Sequence, residues 1–198
     1  MRKKVSLDFY FPTNCFIFNY RLKQKQNVMK EYKVKVNSKG TRMWYNTEGQ
    51  LHREDGPAVK GAGGYKAWYR NGQLHCEDGP AIEWSNGTKQ WFFNGKRHRE
   101  NGPAVEWSNG TKKWYLNDKL HREDGPAIEW SNGGKFWYRN DKLHREDGPA
   151  IEWSNGDKEW YINGEELTQE QFNERTSSKE LTVAEVERLL GHKVKIVK

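Results

Sequence analysis

Five histidines, His52, His75, His98, His121 and His144, recur every 23 residues, and each opens a variant of H-R-E-D-G-P-A. An imidazole three residues before Asp55, Asp78, Asn101, Asp124 or Asp147 has the parts of a metal site or an acid–base pair. Geometry argues against both. Metal ligands converge within about 2 Å of one ion, whereas equivalent side chains on adjacent two-stranded repeats stand about 10 Å apart. Asn101 breaks the His–acid pairing without disturbing the repeat. An enzyme needs one asymmetric pocket with tuned ionisations, and a motif copied along an array does not make one. The histidines therefore read as structural, each near a tryptophan and bonded to a turn, and R-E-D reads as a solvated turn. No P-loop, G-x-S-x-G, C-x-x-C pair or H-E-x-x-H occurs. The chain is expected to be non-catalytic, with no cofactor and no metal, a His/Asp hydrolase being the remote alternative.

The elements that carry these residues follow from the same period. Pro57, Pro80, Pro103, Pro126 and Pro149 keep it, and the unit from Ala81 to Pro103 shows it in full. S-N-G between β-favouring segments predicts a hairpin turn of type I′, because Asn-Gly accepts positive φ. The second Asn-Gly or Asn-Asp, at Asn71, Asn94, Asn117, Asn140 and Asn163, marks another turn, and D-G-P-A reverses the chain again. Each repeat thus reads as two main strands and a short third around Leu-His-Arg. With a two-residue loop at Asn86 and Gly87, Ile82 lies opposite Trp91, and one face carries Ile82, Trp84, Trp91 and Phe93. The predicted fold class is all-β: tandem 23-residue hairpins forming an elongated single-layer twisted sheet with a small C-terminal helical cap.

In a sheet with one apolar face, tryptophan columns belong to the core. The column Tyr69, Phe92, Tyr115, Tyr138 and Tyr161 is the candidate binding surface, because it is expected to share a face with Glu83, Glu106, Glu129 and Glu152.

Three segments result. Residues 1–28 form a basic N-terminal extension that is disordered or precedes a native start at Met29; 29–165 are the repeat array; 166–198 are a helix–strand module. Within the last, Thr168–Gln171 and Thr182–Glu185 fit capping boxes, and Val194–Val197 reads as a strand. Residues 1–42 carry eleven Lys and Arg against two acids, while the remainder has 23 bases against 25 acids. A nucleic-acid groove along the array is therefore disfavoured, and membrane contact, if any, falls to the basic arm. Cys15 and Cys76 follow no ligand or disulfide spacing and read as free thiols of a reducing compartment, so the expected location is cytoplasmic.

The unit W-Y-x-N-G-K-L-H-R-E-D-G-P-A-x-E-W-S-N-G-x-K-x-W-Y resembles MORN repeats in its period and its W-x-x-N-G-x-x-H segment. It is closer still to the variant repeats with an L-H-R-E-D-G-P-A core that occur in proteins of bacteriophages, bacteria and large DNA viruses, and the C-terminal L-T-V-A-E-V-E-R-L-L-G-H-K-V-K-I-V is similar to tails on such phage proteins. The repeat resemblance covers roughly residues 30–165. It implies a β-hairpin array and an interaction role, and supplies no catalytic residues. MORN units carry more glycine where R-E-D-G-P-A stands here, so that family's membrane binding does not transfer. The expected function is a protein-interaction scaffold, phage-encoded and acting on a host or viral protein in the host cytoplasm. The alternative is a small-ligand-sequestering or lipid-binding module.

Overall fold

A computed structural model describes residues 32–177, 183–191 and 193. The expected capping box at Thr182, the strand at Val194–Val197, Cys15 and residues 1–28 lie outside the described residues.

The array is all-β. Its main sheet has 13 strands, all antiparallel, in an order that follows the chain except where each repeat sends one small hairpin out of the sheet. The repeat from Val105 shows the plan. Val105–Glu106 and Lys112–Lys113 pair within the sheet, Tyr115–Leu116 and Lys119–Leu120 pair as the side hairpin, and Ile128–Glu129 resumes the sheet beside Lys112–Lys113. Each full repeat therefore contributes four short strands rather than three.

The two turns exchange the roles the sequence suggested. S-N-G is a three-residue loop: Gly110 N donates to Trp107 O at 2.9 Å, Trp107 N donates to Thr111 O at 2.9 Å, and Gly110 sits at φ +91°. Asn109 Oδ1 accepts the Thr111 N–H at 3.0 Å, so the asparagine is spent on a local turn and only the glycine takes the left-handed conformation. The type I′ turn is the second one, where Asn94 (φ 48°) and Gly95 (φ 78°), or Asn117 (φ 52°) and Asp118 (φ 66°), are both left-handed.

The extra loop residue shifts the register by one. Ile82 stands opposite Gln90, not Trp91, and Trp84 faces Thr88. Ile82, Trp84, Thr88 and Gln90 thus share a face. Trp91 lies at the corner where the chain leaves the sheet, its N–H donating to Ala104 O at 2.8 Å and its carbonyl accepting from His98 N at 3.2 Å.

The core lies between this face and the side hairpins. Ala58, Ala81, Ala104, Ala127 and Ala150, the last residues of G-P-A, are fully buried. Val105, Tyr115 and Ala104 form one cluster, and Ile128, Phe136 and Ile151 form another against which Tyr138 and Tyr161 pack. The opposite face carries a charge ladder. Lys66, Glu83, Lys89, Glu106, Lys112, Glu129, Lys135, Glu152 and Lys158 stand directly opposite one another in succession. Opposite charges across a strand pair are favourable, which explains how a highly charged array stays nearly neutral.

At the C-terminal end, Lys158–Ile162 pairs with Glu165–Leu167, and helix α1 (Gln169–Thr176) packs on both strands. Thr168 caps α1 as the sequence suggested: Thr168 Oγ1 accepts from Gln171 N at 3.2 Å and Gln171 Oε1 accepts from Thr168 N at 2.9 Å. Phe172 is the buried anchor. A second helix, α2, spans Val183–Leu190. No helix among the described residues is long and apolar enough to cross a membrane.

Candidate functional site: a row of tryptophan-floored grooves

Each histidine is a stitch between repeats. His52, His75, His98, His121 and His144 accept, through Nδ1, the backbone N–H of Asn71, Asn94, Asn117, Asn140 and Asn163 at 3.0, 3.2, 3.3, 3.3 and 3.1 Å. At His52, His75 and His144 an accepting Nδ1 leaves the proton of the neutral ring on Nε2, whereas at His98 and His121 the same nitrogen also lies 3.1 and 3.2 Å from the Oδ1 of Asn117 and Asn140. Nε2 faces the glutamate two residues on, from 3.2 Å at Glu146 to 3.9 Å at Glu100. At His144 that carboxylate lies out of line for a hydrogen bond, and the buried Nε2 has no partner. Among the described residues the rings that meet these imidazoles are Phe93, tilted against His75 at 4.9 Å and His98 at 6.2 Å, and Tyr32, stacked on His52 at 6.2 Å, rather than tryptophans. The turns are further joined by backbone bonds from Gly72 N to Leu51 O and from Arg53 N to Tyr69 O, repeated along the array.

The arginine of H-R-E-D is a clamp. Arg122 lies 4.1 Å over the Trp114 ring and donates to Asp124, to Glu129 and to the Pro126 carbonyl at 2.9, 3.1 and 3.2 Å. Arg145 repeats the pattern with Trp137, Asp147, Glu152 and Pro149. Arg99 does so with Trp91, Glu106 and Pro103. The expected solvated turn is thus half-buried at its arginine. The Arg–Glu spacing of seven was visible in the sequence, but the register error hid which face the glutamate joined.

These clamps act on ionisation. The Arg122 and Arg145 guanidiniums hold the carboxyls of Asp124 and Asp147 below the ordinary 3.8. A lowered folded-state pKa stabilises above the unfolded value and is lost as pH falls through the folded one. We expect the melting midpoint to decline as pH drops below about 4, and the decline to be shallower when both arginines are replaced by glutamine. Thermal melts from neutral pH downward check this; an unchanged slope in the double variant would contradict it.

The tyrosine column falls on the inner side. Tyr115 is 8% exposed, with Arg97 lying 4.1 Å over its ring. Tyr69, Phe92, Tyr138 and Tyr161 are half-buried. The expected shared face with Glu83, Glu106, Glu129 and Glu152 is corrected: Tyr115 packs with Val105, whose neighbour Glu106 points to the other side. Tyr161, whose hydroxyl donates to Glu159 at 3.1 Å, is pushed up to about 12 by burial and by that carboxylate. More exposed aromatics stand in the column Trp84, Trp107, Trp130 and Trp153, where Trp130 and Trp153 are 38% and 43% exposed.

The concave surface lies between successive H-R-E-D turns. In chain order, four grooves of about 300, 510, 710 and 500 Å³ are floored by Trp68, Trp91, Trp114 and Trp137. Each takes its walls from two consecutive motifs, so the grooves recur with the repeat. Their rims are acidic and wet: the side chains of Glu100, Glu123 and Glu146 are 78%, 82% and 68% exposed. Among the described residues no three His, Cys, Asp or Glu side chains are grouped to hold a metal ion.

Fold and grooves define a tandem β-hairpin repeat protein with a periodic row of acid-rimmed grooves. No family model matches the chain, and no curated protein matches it.

Proposed function

We propose that the chain is a non-catalytic protein-interaction scaffold, whose row of tryptophan-floored grooves receives an extended segment of a partner protein. The observation that carries this reading is the recurrence of one groove at every repeat, a surface suited to an extended partner. The charged motif supports the non-catalytic part, because its histidines and arginines are engaged in joining and bracing repeats. The acidic rims favour a basic protein segment over nucleic acid. A phage origin and action in the host cytoplasm are part of the proposal, supported by the L-H-R-E-D-G-P-A resemblance.

Affinity capture from host lysate tests it, comparing the wild-type chain with one carrying Glu100→Lys, Glu123→Lys and Glu146→Lys. The three glutamate side chains are themselves exposed, and surface substitutions of this kind cost little folding energy. A protein retained by the first and lost by the second is the expected result. No specific capture, or capture indifferent to the reversed rim, would count against the proposal.

A further inference from the structure

The motif that opens at His75 departs from the others at one position: where Arg53, Arg99, Arg122 and Arg145 stand, this repeat has Cys76. The backbone there is unchanged, since Cys76 N donates to Phe92 O at 3.2 Å as Arg99 N does to Tyr115 O. What changes is the space the guanidinium fills elsewhere. In the other motifs its carbon lies 4.3, 3.9, 4.1 and 4.0 Å from the ring centres of Trp44, Trp91, Trp114 and Trp137. A Cβ built on the motif glycines Gly56, Gly102, Gly125 and Gly148 would come within 3.5, 3.1, 2.9 and 3.1 Å of that carbon.

At Gly79 the same Cβ would meet nothing within 4 Å. Among the described residues no cation lies over Trp68. Asp78 occupies the place from which Asp55, Asp124 and Asp147 accept an arginine Nε at 2.9, 2.9 and 2.8 Å, and it has no ion pair among the described residues. Glu83, the counterpart of Glu106, pairs with Lys66 instead at 3.0 Å. Trp68 and the unpaired Asp78 carboxylate both line the groove of about 300 Å³, and Gly79, beside which the space is open, follows Asp78 on the wall of the next groove.

We infer that this groove takes an arginine side chain from an exposed, extended segment of the partner protein, its guanidinium stacking on Trp68 and donating to Asp78. The chain's own repeats show the fit: there the carbonyls of Pro103, Pro126 and Pro149, which stand at the position of Pro80, accept from their arginines. Lysine lacks the planar fork and the stacking surface that this geometry uses. The inference deepens the scaffold reading and rests on it.

The test is a titration of the full chain with acetyl-Gly-Arg-Gly-amide and its lysine and citrulline counterparts. Binding is read from the Trp68 indole N–H, assigned by Trp68→Phe, in wild type and in Cys76→Arg. The arginine peptide is expected to shift that signal saturably, the lysine peptide to bind at least about fivefold more weakly, and the citrulline peptide not to bind. Cys76→Arg, which supplies the guanidinium in cis, is expected to melt higher than wild type and to lose the response. The inference is overturned by no saturable shift at millimolar peptide, by equal binding of citrulline, by binding that persists in Cys76→Arg, or by a Cys76→Arg chain that melts lower. Protein capture that survives in Cys76→Arg would remove this inference and leave the scaffold standing. Peptide binding without any captured protein would leave the arginine pocket itself standing and overturn the protein partner assigned to it.

Discussion

Replacing Tyr115 by alanine is expected to cost about 3–5 kcal/mol of stability, the range for truncating a buried aromatic. Its ring joins a side hairpin to the sheet in the cluster with Ala104 and Val105, and Trp91, Trp107 and Leu120 pack against that cluster. Neighbouring repeats have no way to fill the cavity, because the hairpin is tied by backbone bonds to those on either side, through Asp118 N to Arg97 O and Asp141 N to Leu120 O, both 2.9 Å. In a repeat array such damage passes to neighbours through the shared interface. Urea melts and amide exchange should show lost protection in the repeats flanking Tyr115. Phe93→Ala, at a side chain 44% exposed, should cost clearly less. Equal costs for the two would show that the hairpins do not pack on the sheet as described.

The second large effect is expected at Arg122. Arg122→Ala removes four interactions at once: the face of Trp114, two carboxylates and the Pro126 carbonyl. The side chain is 21% exposed, so water compensates only in part. Glu129 keeps Lys112 and Lys135 opposite it, which limits the cost of its unpaired charge. The net loss should be about 2–3 kcal/mol, from charge-assisted bonds and lost stacking. Arg122→Lys should recover less than half of it, since an ammonium cannot donate as a fork while lying flat on an indole. Full rescue by lysine in thermal melts would mean that charge alone, and not the clamp, matters here.

Much of the fold was legible because the repeat is strict. Histidine, proline and Asn-Gly spacing marked out the unit and its hairpins, and the Thr168–Gln171 spacing marked the C-terminal capping box. What failed was local turn chemistry. Both Asn-Gly sites satisfy a type I′ preference, but in S-N-G the Asn109 side chain takes the Thr111 N–H, which leaves a three-residue loop and moves every partner by one. That single shift sent Trp91 to a corner and Tyr115 into the core, with Tyr138 and Tyr161 of the column chosen for binding packed against buried residues. The grooves were not legible, because they form between motifs of adjacent repeats. The Cys76 departure was plain in the sequence, but its meaning required knowing that arginine elsewhere covers a tryptophan.

The central claim is that the residues with the chemistry of a site are spent on holding repeats together. Long-range ¹H–¹⁵N spectra of the imidazoles at neutral pH test it most directly. The account predicts that His52, His75 and His144, whose Nδ1 meets a backbone N–H and no asparagine oxygen, are locked as the Nε2–H tautomer, with Nδ1 showing the shift of a hydrogen-bond acceptor. Imidazoles that average between tautomers, or that carry the proton on Nδ1, would contradict it and return the histidines to the list of candidate acids, bases and ligands.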